Sequence, residues 1–269
     1  MDIRPARVAG AFYPGESERL RSLLDDLIDR KVEKNQAVAL VSPHAGYIYS
    51  GNVAGALFSS TRLPRLFVLL GPSHSGIGEH FAIFRKGKWT TPLGDVPVDE
   101  NLADLILNGT ARVREDPESH RVEHSLEVQI PFIQHLRPDC RIVPINNPYF
   151  ASWPDLEEVG RAVADAIRAV DEPVMIVAST DMSHQVSRET ARRKDFLAIE
   201  AIRNLDARGL YEVVNRERIS MCGFQATSAA LAASVRLGAR RAELVDYRTS
   251  GDVTGDDQHV VGYAGIRIE

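Results

Sequence analysis

Leu66-Phe67-Val68-Leu69-Leu70-Gly71-Pro72-Ser73-His74 reads as five unbroken apolar residues that give way to a short polar loop ending in histidine. A half-exposed strand alternates apolar with polar, so a short continuous run bounded by turn residues is a strand covered on both faces. The same arrangement recurs twice. Ala37-Val38-Ala39-Leu40-Val41 leads into Ser42-Pro43-His44-Ala45-Gly46-Tyr47, and a strand predicted over 173–178 leads into Ser179-Thr180-Asp181-Met182-Ser183-His184. Helical periodicity fills the intervals. In 16–30, Leu20, Leu23, Leu24, Leu27 and Ile28 share one face. Further helices are predicted over 52–60, 99–108, 123–136 (with Pro131 as a kink or early stop), 154–170, 187–204 and 222–236. Further strands are predicted over 81–84, 141–145, 243–247 and 260–268. Buried strands with helices between them predict an α/β fold, a three-layer αβα sandwich around a mixed, largely parallel sheet. Periodicity does not set the strand order.

The 269 residues are 44% hydrophobic and 26% charged, the balance of an ordinary globular chain. No repeat, low-complexity tract or Ser/Gly linker divides them, so a single domain over 1–269 is expected. The net charge is −5, and the nearest basic run, Arg192-Arg193-Lys194, falls in a predicted helix, where it reads as a solvated face. No nucleic-acid partner is expected. No apolar stretch approaches the ~20 residues a bilayer crossing needs, so no membrane partner is expected either. The first residues lack the apolar core of a signal peptide. Two cysteines, Cys140 and Cys222, make no disulfide framework, and the expected location is cytoplasmic. Nothing in the sequence fixes an oligomeric state.

Open α/β sheets bind ligands at the carboxyl ends of their strands, where His44, His74 and His184 all fall. Any one of them alone reads as a loop histidine bonded to backbone. Together they suggest a site in which two imidazoles need one anionic partner to make a three-ligand face. Asp181, Glu123, Glu127 and Cys222 are all candidates for that partner. Cys222 lies at the predicted start of a helix, a setting that favours thiolate, although a small buried hydrophobe is an equal reading. Cys140 has no such setting and reads as structural. Glu123-His124-Ser125-Leu126-Glu127 is predicted to open a helix, with His124 and Glu127 sharing a face as a pocket wall. Asp181, three residues before His184, could orient a base or a ligand. Thr91-Pro92-Leu93-Gly94 reads as a plain loop, and 249–257 as a loop on a pocket rim.

Several of these motifs carry a resemblance. Val8-Ala9-Gly10-Ala11-Phe12-Tyr13-Pro14 resembles the opening signature of the Memo family. So do Ser42–Tyr47 with Tyr49-Ser50-Gly51, Gly71–His74, Glu123–Glu127, Asp181–His184, Cys222-Gly223 and Val260-Val261-Gly262-Tyr263-Ala264. The likeness is collinear from about 4 to 264, and in bacteria and archaea such proteins are often called component B of the AmmeMemoRadiSam system. The resemblance implies a fold similar to the class III (LigB-like) extradiol dioxygenases, which hold iron(II) on two histidines and a glutamate. It implies that His44 and His74 are metal ligands, that Cys222 stands in the glutamate's place, and that His184 is an acid–base group with Asp181 beside it. His124, Glu127 and Tyr47 are then the expected pocket residues.

The expected cofactor is a transition metal, iron or copper in preference to zinc. The expected activity is that of a metal-dependent oxidoreductase acting on a small molecule. The alternatives are a non-catalytic module that binds a peptide in the same pocket, and a metal-assisted hydrolase with His184 or Glu127 as base.

Overall fold

The computed structural model describes residues 2–77, 81–148 and 150–269. In chain order the elements begin with β1 (Ile3–Arg4), α1 (Ser17–Leu27), β2 (Ala39–Ser42), α2 (Tyr47–Ser59), β3 (Leu66–Pro72) and β4 (Phe81–Ile83). Next come β5 (Lys88–Thr91), β6 (Gly94–Pro97), α3 (Glu100–Gly109), β7 (Val113–Glu115), α4 (Ile130–Leu136), β8 (Arg141–Asn147) and α5 (Trp153–Arg168). The chain continues through β9 (Val174–Ser179), β10 (His184–Val186), α6 (Arg188–Arg203), α7 (Ala207–Glu217) and α8 (Phe224–Leu237). It closes with β11 (Ala242–Thr249), α9 (Gly251–Thr254) and β12 (Val260–Ile268).

The main sheet has the order β10-β12-β2-β9-β3-β8-β4-β7, with β11 also paired to β12. The central strands β2, β9, β3 and β8 run parallel, whereas β12 is antiparallel to β2 and β4 is antiparallel to β8. Successive side chains of a strand point to opposite faces, so each apolar run divides between two cores. Leu66, Val68 and Leu70 pack with Leu102 and Ile106 of α3 and with Leu156, Val159 and Val163 of α5. Phe67 and Leu69 pack on the other side with Leu20 and Leu24 of α1, Leu57 and Phe58 of α2, and Phe132 of α4. Fully burying a side chain of this size stabilises by roughly 1.5–3 kcal/mol. An interruption of the run by a polar residue would therefore cost on whichever face it fell. This is the expected three-layer sandwich.

Local differences have local causes. Residues 123–136 are not one helix. Oε1 of Glu123 accepts the backbone N–H groups of His124 and Ser125, a 3-10 turn follows at Glu127–Gln129, and α4 begins only at Ile130. Pro131 therefore sits in the first turn of α4, where its missing N–H costs nothing, and does not stop the helix. Thr91–Gly94 is the turn of a β5–β6 hairpin, with Gly94 at φ +120°, a conformation that favours glycine. The hairpin joins β1 in a separate small sheet. The helix α7 was not expected, and the 249–257 loop contains α9, tied down by Arg188 to Asp252 and Asp257. Among the described residues, no helix is long and apolar enough to cross a membrane.

Candidate metal centre

Because β2, β9 and β3 are parallel neighbours, their carboxyl ends share one edge of the sheet. His44 follows β2, His74 follows β3, and the Thr180–Ser183 loop follows β9. Cys222 enters from elsewhere, just before Gly223, the N-cap of α8. A Cβ at Gly223 would lie 2.3 Å from the carbonyl oxygen of Ser179, so only glycine lets this segment close on the end of β9. The result is a compact group in which ligand atoms of His44, His74 and Cys222 all lie within 4.8 Å of one another. Cys222 Sγ is 3.2 Å from His44 Nε2, and the His44 and His74 ring centroids are 5.2 Å apart.

Each member is held from behind. His44 Nδ1 is 2.9 Å from Ser179 Oγ, and its backbone N–H donates to Asp181 Oδ1 at 2.8 Å. His74 Nδ1 is 2.9 Å from Glu123 Oε1, and the backbone N–H of His74 donates to Glu123 Oε2. The backbone N–H of Asp181 donates to Cys222 Sγ at 3.3 Å. His74, Glu123 and His124 form a second cluster of potential ligands. Glu123, however, already accepts four N–H bonds, from the backbone and ring of His74 and from His124 and Ser125. Three of these bonds converge on Oε1 and one on Oε2, so the carboxylate is largely taken up and acts as the anchor of His74.

Charge follows these contacts. Burial lowers the pKa of His44 well below the ordinary histidine value, and the neighbouring His74 and His124 lower it further. For His74, burial works against the charged form, but the Glu123 hydrogen bond and charge outweigh it and the pKa rises. Asp181 is pushed up to about 6, chiefly by burial. The expectation that a helix start would favour thiolate at Cys222 does not hold for the metal-free group. Burial pushes the thiol up, and the charge of Asp181 adds to that. A cation is what would expel the proton.

His124 stacks on His74 with centroids 4.7 Å apart and takes Phe12 at 4.8 Å, so it belongs to the cluster. His184 is bound by Ser220: its backbone N–H donates to Ser220 Oγ, and its Nδ1 lies 2.8 Å from the Ser220 carbonyl oxygen. Asp181 bonds the His44 loop and not the His184 ring. Tyr47 and Glu127 lie behind the cluster. The Tyr47 hydroxyl donates to the carbonyl of Val128 at 2.6 Å, with its ring packed on Phe132 and Tyr13. Glu127 is paired with Arg4 and accepts from the Tyr13 hydroxyl and the backbone N–H groups of Arg7 and Val8. The expected shared face of His124 and Glu127 is absent because the segment is not α-helical there. Cys140 is buried in the core beside α4, and burial pushes its thiol up to about 12.

No sequence pattern singled out Arg4 or Gln129. Ser179 had one, as the first polar residue after the 173–178 run.

A three-layer αβα sandwich with two histidines and a cysteine converging at the ends of its parallel strands defines a class of protein with a potential transition-metal site. The chain belongs to the family described as Memo-like protein, whose model matches residues 4–267. A MEMO1 family protein of Thermotoga neapolitana is 40% identical, with 97% of this chain and 98% of the relative covered. One from Archaeoglobus fulgidus is 41% identical, with 98% of each covered. Among solved structures, the uncharacterized protein JW3007 of Escherichia coli K12 superposes with a TM-score of 0.57 at 16% identity. That match covers 85% of this chain and 98% of the other, and it shows a shared fold alone.

Proposed function

We propose that this chain holds one transition-metal ion on His44 Nε2, His74 Nε2 and Cys222 Sγ, and that it works as an oxidoreductase on a small organic molecule. The observation that carries the proposal is the convergence of these three side chains within 4.8 Å, each supported by a hydrogen bond from behind. Two imidazoles and a thiolate make a soft, open set of donors that suits iron or copper, accepts zinc, and disfavours magnesium and calcium. When bound, the ion would supply Lewis-acid and electron-transfer chemistry.

The chain's own residues would bind the substrate and move protons. His184 is suited to carry a proton. Its Nδ1 faces a carbonyl, which can only accept, so Nδ1 keeps its hydrogen and Nε2 is the nitrogen left to exchange one. His124 offers a ring edge beside His74, with Phe12 across its face. Asp181 holds the His44 loop and receives no bond from His184, which makes it a positioning group. The resemblance to extradiol dioxygenases supports a reaction that uses oxygen, and thiolate in place of carboxylate supports a different metal preference.

The two alternatives have less support. A hydrolase would have to rely on His184 alone as its base, because the Glu127 carboxylate is taken up by Arg4 and Tyr13. A peptide-binding module would use the same pocket, and side-chain recognition of an acidic peptide there would call on Lys or Arg. Among the described residues, no Lys or Arg side chain bonds to His44, His74, His124, Asp181, His184 or Cys222.

The test is metal analysis of protein purified without added metal, with and without oxygen, followed by oxygen uptake on a panel of catechols. Stoichiometric iron or copper in the parent and in Cys140→Ser, with loss in Cys222→Ser, is the expected result. Equal metal content in Cys222→Ser would overturn the assignment.

A further inference from the structure

The geometry points to Ser179, braced by Gln129, as the residue that dictates which nitrogen of His44 faces the metal pocket. The inference rests on the metal reading above for its purpose, but not for its geometry.

The hydrogen-bond inventory around Ser179 admits one solution. Ser179 and Gln129 are 0% and 1% exposed, so solvent does not supply partners. Gln129 Nε2 is 2.9 Å from the carbonyl oxygen of Pro43 and 2.9 Å from Ser179 Oγ. Turning the amide over would set its oxygen against the Pro43 carbonyl, so the nitrogen stays there and gives one hydrogen to each neighbour. Ser179 Oγ lies 2.7 Å from the carbonyl oxygen of Ser125, an acceptor only, so the single hydroxyl hydrogen goes to Ser125. One lone pair of Oγ is then filled by Gln129, and the other faces His44 Nδ1 at 2.9 Å. Nδ1 must therefore carry the imidazole hydrogen. That leaves Nε2, on the Cys222 side, as the nitrogen without the hydrogen.

His74 reaches the same tautomer by a different device, a carboxylate. The two imidazoles are thus unequal. One is backed by the anion Glu123, which raises its basicity as a ligand, and the other by the neutral hydroxyl of Ser179. Ser179 touches neither substrate nor ion and is a positioning residue. Its hydroxyl also joins three segments: the Pro43–His44 loop through Gln129, the end of β9, and the Ser125 turn.

The experiment has two readouts. In metal-free protein, nitrogen-15 NMR of the ring nitrogens reports the tautomer of His44. In a cobalt(II) titration, the thiolate-to-cobalt charge-transfer band reports affinity. The parent should show His44 protonated at Nδ1. Ser179→Ala should show a tautomer mixture and a 10–100-fold weaker cobalt affinity with the band retained. Ser179→Thr, which keeps the hydroxyl, should restore the tautomer. Gln129→Met, which removes only the brace, leaves the Ser125 carbonyl to take the hydroxyl hydrogen and should keep the parent tautomer. A parent His44 protonated at Nε2, or a His44 that stays protonated only at Nδ1 in Ser179→Ala, would overturn the proposal, and the parent measurement decides alone if Ser179→Ala does not fold. If the parent binds no cobalt, the metal reading fails and the tautomer result alone decides for or against Ser179.

Discussion

The number of protons released on metal binding is set by the site and can be worked out in advance. Zinc is a convenient probe because it has no redox chemistry of its own. Cys222 must lose a proton to bind it, and burial with the Asp181 charge holds that thiol above its ordinary value of 9.0. The thiol is therefore protonated throughout the neutral range, and affinity should rise about tenfold, or ~1.4 kcal/mol, for each pH unit from 7.5 to 8.5. His44 is already neutral and adds nothing. His74 has a pKa raised above 6.5, so below that value a second proton must leave. Between pH 5 and 6 the affinity should therefore climb towards a hundredfold, ~2.7 kcal/mol. Calorimetric titration in buffers of different ionisation enthalpy counts the protons directly. Release should be near one at pH 8 and approach two at pH 5.5. Release of less than half a proton at pH 8 would mean that Cys222 is not a ligand, or that its thiol is ionised without metal.

Three further outcomes are expected. Arg4→Ala leaves Glu127 charged and buried, so it should cost about 3–5 kcal/mol and lower the melting temperature by roughly 10 °C. Its zinc affinity, measured well below that melting point, should stay close to the parent's; a collapse would give Glu127 a role in the site. Asp181 has a folded pKa above its ordinary 3.8, so its ionisation opposes folding: stability is highest on the acid side and is lost as pH rises through about 6. Asp181→Asn should abolish that decline and gain roughly 1–3 kcal/mol at pH 8 in urea unfolding, and an unchanged pH slope would refute the burial argument. His184→Ala should retain zinc while turnover falls by about 10²–10⁴-fold, the range for loss of an acid–base group; loss of zinc would make His184 a ligand.

What could be read from the sequence was what depends on near neighbours. The runs at 66–70, 37–41 and 173–178 are strands because no polar residue interrupts them, and their polar ends place His44 and His74 on one edge. Contacts between distant positions were not legible. Arg4 and Glu127 are 123 positions apart, and neither residue type announces a buried pair. The spacing of His124 and Glu127 misled because it assumed helical geometry, whereas Glu123 diverts the backbone by accepting the next two N–H groups. At Cys222 the helix start was real, but the sequence could not show that the thiol would be buried against Asp181. The β5–β6 hairpin escaped because four-residue strands of mixed polarity carry no period long enough to detect.

The place of β12 in the sheet has a consequence for biosynthesis. This strand covers Val260–Ile268, yet it sits inside the sheet, paired to β2, β10 and β11. As the chain leaves the ribosome, β2 is made early and waits for that neighbour until more than two hundred further residues have been translated. During that interval its edge presents unpaired N–H and C=O groups, the kind of exposure that invites strand addition by other chains. Cys222 is also made late. The nascent chain thus carries both histidines long before it has either the thiol or β12, and the pocket can assemble only after those later segments have been made.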